Sequence, residues 1–563
     1  MKRCPQCGRE YDLTMSYCLD DGSELLYGPA GVQNDEPRTA ILHDTSVPSE
    51  AATKAQIHTT NLPGVGDTRR DRTFPTKLVV VVAAIVLVLG GGFFGLRYFR
   101  ADAKQINSIA VMPFVNESGN ADIDYLTDGM TDTLISGLSQ VPNLSVKAHT
   151  SVFRYKGKDI PSRTIANDLQ VQALVSGRVT QHGDQMSVSV DLIDPQTESV
   201  LWSNKYDRKQ TDLVSLQTDI AKDVSTKLRE RLSGEDKARI VKIYTVDPEA
   251  YQLYLKGKFY WNQRTAESLK KAAESYNQAI AKDPGYALAY SGLAETYLLY
   301  SSHDVAPASD SMPQAKAAAL RALQLDDQLA EAHAALGFYL ANYEWDRTAF
   351  EKEYRRAIEL KPDYATAHHW FGADLSCLKR VDASLAEYRV AEELDPLSPQ
   401  IGTNFGDALL LARRYDEAID QYKRVILRDP DFAYAHQALG LAYGAQGKYA
   451  EAIAEARRSI ELDDSPSRKG YLGLWLAKSG QRDEARKVLA ELKQKATVEY
   501  VENYSLALLY IGLGNKNEAL GQLESEVSGR AENANTFAAA PELDDLRSEP
   551  RFKAMLKQMN LPE

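Results

Sequence analysis

KPDYATAHHWFGADL (361–375) returns, with substitutions, as DPLSPQIGTNFGDAL (395–409) and DPDFAYAHQALGLAY (429–443). Pro362, Pro396 and Pro430 are therefore spaced 34 residues apart, and Asp464 marks the next step. A fixed period of this length predicts a solenoid, in which each repeat buries its apolar face only against its neighbours. A surface of this kind is typical of proteins that hold a partner.

Each repeat is predicted to be a pair of helices. In 399–430, Phe405 fills the inner face of the first helix, Gly406 lies where the helices cross, Tyr422 fills the second helix, and Pro430 ends it. These positions resemble tetratricopeptide repeats. Seven or eight repeats are expected from about 250 to 530, within a domain of 247–530 that a C-terminal cap of 531–563 follows.

The resemblance implies a partner groove along the other face of each first helix. The predicted groove positions are Thr366, His369 and Ala373, then Thr403 and Asp407, then Tyr434, Gln437 and Leu441. Repeats that bind chaperone tails use Lys and Asn at the corresponding places to hold a carboxylate. Those residue types are missing here, so the expected partners are other, unknown proteins or peptides.

The first 26 residues carry a pattern typical of a small metal-binding module. Cys4-x-x-Cys7 supplies two thiolates in a tight turn, Cys18 supplies a third, and Asp21 occupies the place of the fourth ligand. The segment resembles a zinc ribbon of the CPxCG type, which implies one structural Zn²⁺. Asp20 or water remains open as the fourth ligand, and free or redox-active thiols are the alternative. A chain this short needs the metal to fold.

Residues 27–76 are polar and lack a hydrophobic period, which predicts a disordered linker. Residues 78–96 are uncharged and apolar, which predicts a transmembrane helix over 77–99, with a buried core helix as the alternative. The flanking positive charges barely favour one orientation. Because a thiolate cluster is safest in a reducing compartment, we expect a cytosolic N-terminus and periplasmic or extracellular C-terminal domains in the inner membrane.

Residues 105–233 alternate strand and helix patterns, which predicts an α/β domain. A helix is expected near 122–140 with Thr127 or Asp128 as its N-cap, a charged strand near 151–158, and a hairpin that turns at Asp194-Pro195. The stretch SIAVMPFVNESGNADIDYLTDGMTDTLISGLSQVPNLSVKAHTSVFRYKGK, with ALVSGRV and VDLIDPQTESVLWSNKYDR, resembles the TolB-like N-terminal domain of bacterial cyclase and winged-helix fusion proteins. The resemblance implies a non-catalytic sensory or assembly role.

Composition limits the function. The net charge of −12 opposes broad nucleic-acid binding, which requires a basic face. The sequence shows no nucleophile elbow, phosphate loop, dinucleotide fingerprint or paired cyclase carboxylates. We therefore expect a multidomain, membrane-anchored, non-enzymatic interaction scaffold or sensor. The alternative is a membrane-bound transcriptional or signalling regulator, although 1–76 lacks the apolar period of a winged helix.

Overall fold

The structure describes two short strands near the start of the chain and most of the chain beyond residue 105. In this computed structural model the described residues are 2–3, 10–11, 106–120, 123–139, 141, 144–229, 245–303, 305–498 and 501–563. The chain divides into two units, Met1–Gly92 and Phe93–Glu563. In the first unit, β1 (Lys2–Arg3) pairs with antiparallel β2 (Glu10–Tyr11). The predicted linker lies outside the described residues.

The membrane prediction is corrected by the helices of the structure. A spanning helix needs about 20 apolar residues. The longest described helix, Ala308–Leu325, has 18 residues and carries Asp310, Lys316 and Arg321. No helix among the described residues is long and apolar enough to cross a membrane. This finding contradicts the predicted single-pass inner-membrane location, and we withdraw it; the expected span 77–99 itself lies outside the described residues.

A mixed sheet forms the centre of the α/β module, which we define as residues 106–229. Its strands are β3 (Ser108–Val111), β4 (Val115–Asn116), β5 (Ser145–Val146), β6 (Ala173–His182), β7 (Gln185–Asp194) and β8 (Ser199–Lys209). The order is β5-β3-β6-β7-β8, with β4 also paired to β6. β3 is parallel to β5 and β6, whereas β6, β7 and β8 are antiparallel. The turn after Asp194 joins β7 and β8, which confirms the predicted hairpin.

The helices of the module differ from the expected pattern in two places. They are α1 (Asp124–Leu138), α2 (His149–Phe153), α3 (Ser162–Leu169) and α4 (Leu213–Arg229). Thr127 and Asp128 do not cap α1 but lie buried inside it, and Asp128 accepts hydrogen bonds of 2.6 and 2.7 Å from Lys156. The predicted strand near 151–158 is the end of α2 and a turn. Local alternation of charge and aromatic residues is therefore not a strand signal here.

Eight helix pairs follow among the described residues, which confirms the predicted helical repeats. They are R1 (Pro248–Asn262, Ala266–Lys282), R2 (Ala287–Leu298, Ala308–Leu325), R3 (Ala330–Tyr339 with the π turn Leu340–Glu344, Ala349–Leu360), R4 (Ala365–Cys377, Val381–Leu394), R5 (Pro399–Leu411, Tyr415–Arg428), R6 (Ala433–Ala445, Tyr449–Leu462), R7 (Pro466–Lys478, Arg482–Lys495) and R8 (Asn503–Leu513, Lys516–Ser528). The tail then forms 3-10 turns at Glu532–Thr536 and Pro541–Leu546 and the helix Pro550–Gln558.

The 34-residue spacing has a packing cause. Tyr354, Tyr388 and Tyr422 are buried on successive second helices, and each packs against a glycine of its partner helix. A Cβ atom on Gly406 would lie 2.3 Å from the Tyr422 ring. Only glycine therefore fits at the predicted helix crossing.

The α/β module and the first repeats share one hydrophobic core. The apolar side chains of α1 join those of R1 through R4 in one continuous cluster, and a second cluster extends from Trp345 of R3 to the tail. At the junction the backbone of α1 approaches R1 closely, since a Cβ atom on Gly129 would lie 2.7 Å from Cβ of Leu255. The module is therefore fixed to the first repeat by apolar packing.

Candidate partner-binding cavity

A large cavity lies on the side of the repeats that their first helices face. Its volume is 1860 Å³. All eight repeats contribute side chains to its wall, and so do the α/β module and the segment 525–533. Three parts of the chain therefore border this space.

The α/β module closes one edge of the cavity through polar contacts to the turns between repeats. Lys147 donates to the carbonyl of Glu393 at 2.5 Å, and the Ala148 amide donates to the Leu394 carbonyl at 3.1 Å. Ser151 donates to Asp395 at 2.5 Å. These contacts join α2 and the residues before it to the turn between R4 and R5.

A buried carboxylate also joins the module to R1. Asp132, on α1, lies 2.5 Å from Nδ1 of His149 and accepts a 2.9 Å hydrogen bond from Asn262, while Lys258 Nζ lies 3.8 Å away. Burial alone would raise the pKa of Asp132, but the electrostatic effects of His149 and Lys258, with hydrogen bonds from His149 and Asn262, lower it to about 2. The carboxylate is thus held ionised where the module meets the cavity.

The tail closes the opposite edge by returning to R3. Arg347 donates at 3.0 Å to the side-chain oxygen of Asn535 and to the carbonyl of Met559. Asn535 also donates to Asn342 at 2.8 Å, and Arg530 donates to the Tyr343 carbonyl. The tail is therefore held against R3 by hydrogen bonds.

The structure brings five of the eight predicted groove residues to the cavity wall, namely Thr366, His369, Ala373, Tyr434 and Gln437. Thr403 is fully buried and donates to the Pro399 carbonyl at 2.8 Å. Asp407 accepts hydrogen bonds from Tyr422 at 2.7 Å and from Tyr434 at 2.6 Å, and burial raises its pKa to about 6. The remaining position, Leu441, is buried in the second core cluster.

An arginine that the sequence analysis did not select lies at the R1 end of the cavity. The Arg264 guanidinium stacks on the ring of Trp261, 3.6 Å from its centroid. It is accessible from the cavity, yet protein surrounds it closely enough for burial to lower its pKa to about 10. Burial and the charge of Arg264 lower the pKa of nearby His369 to about 4, so this imidazole is neutral at pH 7. The sequence signal for this pair was the aromatic and cationic residues of WNQR (261–264). These residues lie outside the stretch where prolines recur every 34 residues.

Carboxyl groups gather at the R8 end. Burial raises the pKa of Glu526 to about 7, and the backbone amide of Tyr504 donates to it at 2.7 Å. Burial and the charge of Glu502 raise the pKa of Glu532 to about 7 as well. The cavity therefore offers different chemistry at its two ends.

The repeat histidines have structural partners. His333, His368 and His436 each place Nδ1 2.6 Å from a glutamate of the same repeat and Nε2 near a main-chain carbonyl. In the part of the chain that the structure describes, no group of three His, Cys, Asp or Glu side chains is arranged to hold a metal. The predicted zinc ligands, Cys4, Cys7, Cys18 and Asp21, lie outside the described residues.

Family models match two regions of the chain. Residues 104–223 match the second domain of HilA/YgeH-like transcriptional regulators. Residues 406–447 match a TPR repeat model, and residues 433–466 match a tetratricopeptide repeat model.

Curated relatives match over part of their length. The chain is 32% identical over 250 residues to a Rhizobium meliloti (strain 1021) protein that carries the name adenylate cyclase 3, covering 44% of this chain and 42% of that protein. It is 23% identical over 290 residues to the transcriptional regulator HilA of Salmonella typhimurium, covering 51% of this chain and 50% of the regulator. The chain thus spans half or less of the length of these relatives.

Among solved structures, Pseudomonas aeruginosa PilF is 22% identical, with a TM-score of 0.31 and coverage of 38% of this chain and 94% of PilF. PilW, a type IV pilus biogenesis factor, is 18% identical, with a TM-score of 0.33 and coverage of 39% and 96%. The two repeat models match R5 and R6, where the sequence period is clearest. These two helix pairs are tetratricopeptide repeats.

Proposed function

We propose that this protein is a non-enzymatic scaffold or sensor that binds a segment of a partner protein inside the cavity. The observation that carries the proposal is the partly open cavity of 1860 Å³ on the side of the repeats that their first helices face. Small-molecule pockets typically measure about 300–1,000 Å³. The larger volume favours a peptide segment over a small metabolite.

The wall suits an extended chain. Thr366, Gln437 and Asn404 offer neutral hydrogen-bonding groups along R4 to R6, and Tyr434 and Trp370 offer aromatic surface between them. A peptide backbone needs donors and acceptors along its length, and side chains need apolar surface between those points. This alternation supports binding of a polypeptide.

The α/β module supports a sensory or assembly role in the proposal. Its sequence resembles the TolB-like domain, and its contacts at Lys147, Ser151 and Asp132 form part of the cavity's enclosure. Movement of the module relative to the turns between repeats would change access to the cavity. We propose that the module couples a signal to partner binding in this way.

We further propose a structural Zn²⁺ site at Cys4, Cys7, Cys18 and Asp21, with Asp20 or water as alternatives to Asp21. Support comes from the antiparallel pairing of Lys2–Arg3 with Glu10–Tyr11, the described residues on either side of 4–9, which contain Cys4 and Cys7 in the sequence. The Cys-x-x-Cys spacing is the one by which zinc fingers and ribbons supply two thiolate ligands. The metal would hold a small docking module for a second protein.

Site-specific photocrosslinking tests the partner proposal. A photoreactive amino acid at Thr366 or Gln437 should crosslink a partner in cells that express the full chain, and mass spectrometry identifies it. Leu427 is the control position, since it is 86% exposed and lies outside the cavity wall. Equal crosslinking from Leu427 and from both cavity positions would contradict binding inside the cavity.

The second candidate is a transcriptional or signalling regulator. The match of residues 104–223 to the second domain of HilA/YgeH-like regulators favours it. Retention of genomic DNA fragments by the full chain at physiological salt would support this function. Failure to retain any fragment above the background of an acidic control protein would remove DNA binding from the proposal.

A further inference from the structure

The R1 end of the cavity contains an exposed cation, Arg264, that forms no ion pair with the described residues. The Arg264 guanidinium stacks on Trp261, and no carboxylate of the described residues lies within ion-pair distance of it. The other cations of the wall have partners: Lys258 with Asp132, Lys361 with Glu331, Arg154 with Asp429, Arg468 with Asp463, and Arg530 with the Tyr343 carbonyl. Arg264 and Arg530 are thus the cations of the described wall without a carboxylate partner, and Arg530, unlike Arg264, donates to a carbonyl.

Two further polar groups lie beside this cation without satisfied hydrogen bonds. Nε1 of Trp261 and Nε2 of His369 are both buried and have no hydrogen-bond partner among the described residues. A buried polar group without a hydrogen-bond partner is unfavourable, because it has given up its hydrogen bonds to water. Two such groups beside an exposed guanidinium indicate a site that is completed by a ligand.

The chemistry of these groups selects the ligand. A guanidinium offers two parallel N–H donors that match the two oxygens of a carboxylate. His369 is neutral, so its imidazole can share in hydrogen bonding without adding a second positive charge. We propose that Arg264 binds a single carboxylate of the partner segment, and this inference rests on the proposed function.

The surroundings favour one negative charge over two. Glu295, Glu331 and Asp132 all act electrostatically on Tyr254, which lines the same end of the cavity. Glu295 is itself close enough to influence Arg264. A phosphate dianion would meet repulsion from these carboxylates, whereas a carboxylate brings the smaller charge. The ligand group is thus a peptide C-terminus or the side chain of Asp or Glu.

Three peptide pools distinguish these sources. Each pool contains N-acetylated tetrapeptides: uncharged residues with a free C-terminal carboxylate, uncharged residues with a C-terminal amide, and amides with one Asp or Glu. The pools are passed over immobilised full chain, and mass spectrometry measures what is retained. We expect one acidic pool to be retained roughly tenfold more than the neutral amides, the factor for a charge-assisted hydrogen bond.

Variants assign the preference to the cation. Arg264→Gln should abolish the preference, and Arg264→Lys should retain part of it and report on folding. Arg486→Gln is the matched control, because Arg486 is exposed and pairs with Asp483 in R7, away from the cavity. Equal retention of all three pools, or a preference that survives in Arg264→Gln, would overturn the carboxylate inference while leaving partner binding in place. Retention of no pool would overturn both.

Discussion

Gly406 is a position at which the interior of the repeats has almost no room. A Cβ atom added there would lie 2.3 Å from Cε1 and 2.7 Å from Cδ1 of Tyr422, whereas carbon atoms in contact are normally about 3.5–4.0 Å apart. Tyr422 is fully buried, and its hydroxyl donates to Asp407 at 2.7 Å. We therefore expect Gly406→Ala to displace the Tyr422 ring and break that hydrogen bond.

The magnitude follows from three contributions. Overpacking costs about 1–3 kcal/mol, and loss of the hydrogen bond from Tyr422 adds about 1 kcal/mol. The higher helix propensity of alanine offsets about 1 kcal/mol. The free energy of unfolding should fall by about 2 kcal/mol in Gly406→Ala. Gly521 in R8 is the matched control, since no described atom lies within 4 Å of its added Cβ atom, and Gly521→Ala should gain up to about 1 kcal/mol.

Urea titrations of the full chain, followed by far-UV circular dichroism, measure both changes. The two variants carry the same chemical substitution in helix interiors, so their difference isolates the contact with Tyr422. The reasoning is refuted if Gly406→Ala unfolds at the same urea concentration as the parent or a higher one. It is also refuted if Gly521→Ala loses as much stability as Gly406→Ala.

Three further predictions address the tail, the cavity and the N-terminus. Arg347→Met removes the donors to Asn535 and Met559 and should lower the stability of the tail by about 2 kcal/mol. Hydrogen exchange over 550–561 should become faster, and unchanged exchange would contradict the role of Arg347 in holding the tail. Burial raises the pKa of Glu526 from 4.5 to about 7, so the native state retains a proton that the unfolded state releases. Stability should therefore fall as pH rises from about 4.5 to 7, and Glu526→Gln should flatten that slope in urea titrations. Metal analysis of the full chain should find about one zinc, and less in Cys4→Ser, whereas a zinc-free parent chain would contradict the site.

The repeats could be predicted from the sequence because their packing is local. Gly406 and Tyr422 are 16 residues apart and meet within one helix pair, and Gly372 and Tyr388 form the same pairing 34 residues earlier. The inward face was harder to assign. Thr403 and Asp407 share the predicted face, but their polar atoms are satisfied by Pro399, Tyr422 and Tyr434. Sequence spacing predicts the helix face on which a side chain lies, but it does not show whether a neighbouring residue already occupies its hydrogen-bonding atoms.

The cavity could not be predicted because distant segments close it. Lys147 contacts the carbonyl of Glu393, 246 residues away, and Arg347 contacts the carbonyl of Met559, 212 residues away. Every residue has a main-chain carbonyl, so neither the composition nor the periodicity of the sequence can predict which carbonyl accepts such a hydrogen bond. Arg264 could not be identified from the sequence for a related reason. Only the folded arrangement shows that it has no ion-pair partner among the described residues.

The close approach of Gly129 to Leu255 limits which domains can be exchanged by gene fusion in the evolution of this protein. Every stack of repeats needs something to cover the apolar face of its first member. Here that cover is not an atypical repeat but α1 of a different fold. The α/β module and the repeats therefore depend on one another for stability, and a gene fusion that joined these repeats to another module would bare Leu255 and Tyr251. Residues 229 and 245 lie on either side of the boundary between the two folds in the sequence. Recombination there would separate two parts that stabilise each other, so they should be inherited together.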